Sequence, residues 1–188
     1  MPALLILLML ASGHAGAGDC GNFPAVDFRG SSNPAFTSTY LNYPYGYRVR
    51  IPRGLAAYGT PAPAPNHGAG IILSWDPRSY LFVDATYNVL DFASLDAAAD
   101  QAESFVREDS LKVLSVVRGR SSLGRSQALR ITIRHTCGSG EVFVTDEYIL
   151  LTRGIVYTVT LTAPESRYRS DRAVLEAIAR SFELTSRQ

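Results

Sequence analysis

Residues 127–163 constrain the fold more than any other stretch, because they read as three strands joined by two short reversals. Leu129, Ile131 and Ile133 alternate with Arg130, Thr132 and Arg134, the period-two pattern of a strand with one dry and one wet face. Gly138, Ser139 and Gly140 tolerate the positive φ that a tight hairpin connection needs. The chain returns over 142–151, and Arg153 and Gly154 reverse it again. Ile155, Tyr157, Val159 and Leu161 then alternate with Val156, Thr158, Thr160 and Thr162, a run rich in β-branched residues. The reading is an antiparallel meander.

Further elements join it from both sides. Tyr47, Val49 and Ile51 against Arg48 and Arg50 mark a first core strand, stopped by Pro52 and Gly54. Residues 71–75 and 80–87 form a strand pair, linked through Asp76, Pro77, Arg78 and Ser79. Ser94 caps a helix whose apolar stripe is Leu95, Ala98, Ala102, Phe105 and Val106. Residues 111–117 are a strand that turns at 121–124 into the meander, and a loop over 163–170 leads to a second helix carrying Val174, Leu175, Ile178 and Phe182. Ile131, Val159 and Ile178 are expected in one core between the meander and that helix. The pattern predicts an α+β fold, a central antiparallel β-sheet of six to seven strands with helices packed on it, rather than a doubly wound sheet. A chain of 188 residues with 46% hydrophobic content fits one such domain, and a net charge of +1 gives no drive toward nucleic acid.

Residues 1–18 differ from the rest: an apolar run over 3–11 precedes small residues, which reads as a secretory signal peptide cleaved after Ala17. The run is too short to anchor the mature chain across a bilayer. A lipid anchor on Cys20 is the rival, but Asp19 stands where a small uncharged residue is required. Residues 19–39 form an extended arm held by Phe23, Phe28 and Phe36, and 40–188 the single domain. Cys20 and Cys137 are the two cysteines, and in an exported protein they read as a disulfide, with two free thiols as the alternative.

Gly46 through Leu55 contains a glycine, an aromatic, a strand, Pro52, Gly54 and a large apolar residue; Leu123-Gly124 is followed by Ala128; and the chain closes on Ser181-Phe182. This order of blocks resembles the PsbP-like α/β/α sandwich family, which includes the Mog-type import factor and bacterial envelope members such as DcrB. Arg125 and Ser126 after Gly124, and the proline-rich segment near His67, depart from the family pattern. The resemblance covers about residues 40–184. It implies a sheet flanked by helices on both faces and a role in binding or assembly rather than catalysis.

Functional candidates are few. Pro61, Pro63 and Pro65 forbid a regular ladder over 58–70 and favour an extended loop, so the binding candidates are Tyr58, His67, Trp75 and Tyr80 around it. His67 and His135 are the only histidines of the mature chain, which excludes a histidine-rich metal site. No nucleophile elbow, phosphate loop or dinucleotide fingerprint is present, so neither a catalytic residue nor a metal nor a cofactor is expected. Arg118, Arg120, Arg125, Arg130 and Arg134 crowd one hairpin and call for neutralisation by Glu141, Asp146 and Glu147 or by an anionic partner. The function expected is a secreted or periplasmic, non-catalytic binding protein whose partner is another envelope or secreted protein, with oligomeric state open. The alternatives are an inhibitor or immunity protein, a small hydrolase using His67, and a structural envelope component.

Overall fold

The computed structural model describes residues 35–59, 68–73, 78–110, 112–152 and 154–185. In chain order these form β1 (Ala35–Phe36), β2 (Thr39–Asn42), β3 (Tyr47–Arg50), β4 (Ala57–Gly59), β5 (Ala69–Ile72), β6 (Tyr80–Tyr87), α1 (Leu95–Asp109), β7 (Lys112–Leu123), β8 (Ser126–Thr136), β9 (Val142–Thr152), β10 (Ile155–Pro164), α2 (Glu165–Ser181) and β11 (Glu183–Leu184). The main sheet has the order β1-β4-β5-β6-β10-β9-β8-β7 and is antiparallel throughout. Seven strands and a two-residue edge strand thus make up the central sheet.

The meander is present as expected. Its first reversal closes with the Gly140 amide donating to the Cys137 carbonyl at 2.8 Å, and Gly154 makes the second at φ 88°. The alternation of β8 sends Leu129, Ile131 and Ile133 to one side, where Ala98, Ala99, Ile149 and Val156 meet them under α1. Val159 and Leu161 of β10 point to the other side and pack with Leu81, Leu175 and Ile178 under α2. Ile131, Val159 and Ile178 therefore do not share a core, contrary to the pattern-based expectation. Ile131 stands opposite Glu147, and Glu147 opposite Thr160, so Ile131 lies on the Thr160 side of the sheet and Val159 on its reverse. One helix on each face makes a sandwich with two separate cores.

Other boundaries also shift. β3 belongs to a second, three-stranded sheet ordered β11-β3-β2, whose buried Tyr47 stacks on Phe182 at 5.5 Å and meets Tyr157 at 5.7 Å. It closes the core on the α2 side. Phe36 anchors the arm by packing edge-on against Tyr40 at 5.1 Å. Ser94 caps α1 as its sequence predicts, accepting from the Ala97 amide at 3.1 Å, but Phe105 is exposed and the buried stripe runs through Ala99 instead. α2 starts at Glu165, so the expected loop over 163–170 does not exist. Pro164 ends β10 and turns directly into the helix, where Glu165 suits the positive helix end.

β7 runs to Leu123, past the turn expected at 121–124, and the reversal narrows to Gly124 and Arg125. Gly124 has φ +59°, and a Cβ there would lie 1.9 Å from the Phe182 carbonyl oxygen. Its amide donates at 2.7 Å to the Ala179 carbonyl near the C-terminus of α2, which also accepts from the Phe182 amide at 3.4 Å. This turn is how the hairpin locks the second helix.

Candidate functional site

Tyr58 and Tyr80 sit on one face of the main sheet, the face that α1 covers farther along. Tyr58 pairs with Gly70, Gly70 with Phe82, and Phe82 with Thr160 across neighbouring strands, while the Tyr80 and Phe82 rings meet edge-on at 6.1 Å. All three aromatic side chains are half-buried. His67, Trp75 and the prolines lie outside the described residues, as does Cys20.

The same face carries two shifted groups, Glu147 and His135. Glu147, half-buried beside Thr160, has its carboxyl pushed up to about 7, first by loss of hydration and then by the charge of Asp84, against a hydrogen bond from Thr160. Farther along, Ser110 Oγ lies 2.9 Å from His135 Nδ1, His135 Nε2 lies 3.1 Å from Thr145 Oγ1, and Thr145 Oγ1 lies 3.0 Å from Thr162 Oγ1. Burial lowers the imidazole to about 4, so His135 is neutral near pH 7 and serves as a relay of hydrogen bonds. Cys137, two residues on, is buried, and no free cysteine stands among the described residues. Nor do the described residues gather three His, Cys, Asp or Glu side chains around a point where a metal ion fits.

The arginines divide between the two faces, because Arg118 stands opposite Ile131 and Gly119 opposite Arg130. Arg118 reaches Asp100 and Glu103 of α1, each at 2.6 Å, and Arg134 reaches Glu165 of α2 at 2.7 Å. Helices, rather than the neighbouring strand, supply most of the neutralisation, since Glu141 pairs with Arg78 and Glu147 faces Thr160. Asp146 is the expected partner that holds. It is wholly buried, accepting from Arg130 Nε at 2.8 Å, Thr132 at 3.1 Å and the Tyr168 hydroxyl at 2.6 Å. Arg130 also lies over the Tyr148 ring at 5.1 Å. Arg130 Nη2 donates the fourth bond to Asp146, so this cluster ties α2 to the meander and leaves the carboxylate no lone pair for a ligand, a structural role.

A second feature was not evident from pattern alone. The loop between β6 and α1 exposes Val89 at 70% and Leu90 at 55%, next to Tyr87 at 54%. Tyr43, 64% exposed, projects from the β2–β3 turn at the same end, where the Tyr45 ring meets Tyr87 at 5.3 Å and the Tyr45 carbonyl accepts from the Tyr157 hydroxyl at 2.8 Å. The apolar loop is braced. The Asn88 amide donates to Gly154 at 2.9 Å, and the Asn88 side chain both donates to the Phe92 carbonyl at 3.1 Å and accepts from the Phe92 amide at 2.9 Å. The Asp91 amide closes a turn onto the Asn88 carbonyl at 3.2 Å, with Asp91 in the left-handed region at φ 52°. Phe92 plugs into the core under α1. The sequence signal is an apolar pair, Val89-Leu90, between the turn-forming residues Asn88 and Asp91.

No protein-family model matches the chain, and no curated protein matches it by sequence. Among solved structures it is similar to cyanobacterial PsbP (CyanoP) of Synechocystis sp. PCC 6803, with 14% identity over 79% of this chain and 94% of that one, at a TM-score of 0.55. The fold is PsbP-like. A protein of Bacteroides thetaiotaomicron VPI-5482 shares it at 9% identity and a TM-score of 0.51, covering 80% of this chain and half of that one, 50%. At these identities the likeness concerns the PsbP-like architecture of sheet and flanking helices. Among the described residues no helix is long and apolar enough to cross a membrane.

Proposed function

We propose that this PsbP-like protein is an exported, non-catalytic accessory protein that binds another envelope or secreted protein. The observation that carries the reading is the braced apolar end formed by Tyr43, Tyr87, Val89 and Leu90. Exposing four large apolar side chains costs solubility, and a loop already held by Asn88 loses little entropy when a partner covers it. Export rests on the apolar leader over 1–18 and on a Cys20 to Cys137 disulfide, which agrees with the absence of a free thiol at Cys137. The half-buried aromatic face of Tyr58 and Tyr80 is the second candidate surface for the same function, with His67 and Trp75 close to it in sequence.

The test uses mature protein from the native host, immobilised and exposed to envelope extract. Wild type and Tyr58→Ala/Tyr80→Ala retain one common partner, and Val89→Asp/Leu90→Asp loses it while keeping a native circular dichroism spectrum. Retention by the charged variant contradicts the assignment of the surface. Mass spectrometry of the same material checks export: the chain begins near Gly18 or Asp19 with no alkylatable thiol, whereas an intact leader or two free thiols refutes it.

A further inference from the structure

Among the described residues β7 is the terminal strand of the main sheet, twelve residues long, and pairs on one side only, with β8. The opposite edge ends in two residues of β1. A strand of that length directs alternate amides and carbonyls away from its neighbour, and proteins ordinarily blunt such an edge with proline, a short run, a bulge or charged side chains, of which β7 carries Lys112, Arg118 and Arg120. β7 contains no proline, and its one irregularity lies between Val113 and Ser115, which leaves 115–123 in unbroken register. At the centre of that run Val117 is 65% exposed on the α2 side, and Gly119 beside it has open space where a side chain would stand.

The edge strand and the strand beside it carry charge of one sign along the chain. From Lys112 to Arg134 the chain carries lysine and arginine but no aspartate or glutamate. α1 and α2 occupy Arg118 and Arg134, whereas Arg120 is 72% exposed in a 3.1 Å contact with the exposed Asp96, and no carboxylate stands within ion-pair distance of Lys112 or Arg125 among the described residues. A second copy would bring its own cationic edge against this one, and like charges disfavour that pairing. An acidic strand avoids that repulsion and competes with Asp96 for Arg120.

We propose that β7 accepts an extended segment of a partner protein by antiparallel strand addition, the segment placing an apolar side chain against Val117 and a carboxylate against Arg120. Main-chain bonds supply the general affinity of such an arrangement, and the side chains supply the choice. Register separates the two contacts, because Val117 lies on the α2 side with Thr132 and Arg120 on the α1 side with Leu129. The matching segment therefore alternates, with its apolar and acidic positions on opposite faces. The inference stands on observations separate from the apolar end, so either can fail alone.

The test is amide hydrogen exchange of the full mature chain with and without a capped nine-residue peptide of alternating valine and threonine bearing glutamate near both ends. Exchange at the outward amides of 115–121 slows with the glutamate peptide, and the same peptide with lysine in place of glutamate binds about tenfold more weakly or not at all. Arg120→Glu reverses this preference while leaving circular dichroism unchanged. Equal binding of both peptides, an unreversed preference in Arg120→Glu, or no slowing with either peptide overturns the proposal. Slowing that depends on protein concentration without peptide also overturns it, and assigns the edge to a second copy.

Discussion

Glu147 and His135 impose opposite pH dependences on stability, and separating them tests the electrostatic account of the sheet face. Glu147 titrates near 7 in the folded chain against an ordinary 4.5, so the folded state holds a proton that the unfolded state has released. Its stabilising effect is complete below 4.5 and disappears as pH rises to about 7. At ~1.4 kcal/mol per pH unit the gap corresponds to about 3 kcal/mol, reduced to about 2 kcal/mol because the carboxyl keeps part of its hydration. His135 runs the other way. Its ordinary 6.5 falls to about 4, so its contribution is complete above 6.5 and is lost as pH falls toward 4, with a magnitude of about 3 kcal/mol. Urea unfolding of wild type, Glu147→Gln and His135→Gln across this range isolates each effect as a difference from wild type, in which the remaining groups cancel. Glu147→Gln gains about 2 kcal/mol relative to wild type between pH 4.5 and 7.5, and His135→Gln gains about 3 kcal/mol relative to wild type as pH falls from 6.5 to 4. A pH-independent difference for either variant refutes the placement of that side chain.

Three further outcomes follow from the packing. Gly124→Ala loses at least about 2 kcal/mol, because the new methyl meets the Phe182 carbonyl at a positive φ, and thermal unfolding reads the loss. Arg130→Met loses about 3 kcal/mol by leaving Asp146 charged and buried, and adding Asp146→Leu restores most of it in denaturant titrations. Ile131→Ala and Ile178→Ala each lose about 2 to 4 kcal/mol, and their double variant is additive within about 0.5 kcal/mol because α1 and α2 cover separate cores; a larger coupling contradicts the two-core arrangement.

The antiparallel meander is legible in the sequence because Leu129, Ile131 and Ile133 alternate cleanly and short glycine-bearing reversals follow. Which side of the sheet each alternating set faces is not legible. β9 buries residues on both faces, so its pattern has no polar side from which to read register, and Ile131 and Val159 look alike although they belong to opposite cores. Asp146 and Glu147 are adjacent acids in the chain, yet one closes an ion pair with Arg130 and the other faces Thr160, a difference set by strand alternation. Of the site residues, Tyr58 and Tyr80 are legible as neighbours of a proline-rich loop, and the structure adds that they share a face. Val89 and Leu90 escape notice because two apolar residues in a connection give no periodicity, and the Asn88 brace that holds them exposed is formed only in the folded chain.

Site-directed photo-crosslinking in intact cells of the native host tests the binding claim most directly, with the photoreactive residue placed in turn at Val89 and at Tyr58. A single abundant adduct with one envelope or secreted protein is expected from position 89, and it disappears when Leu90→Asp is added. Absence of any adduct from 89, together with a specific adduct from 58, contradicts the assignment of the apolar end as the docking surface.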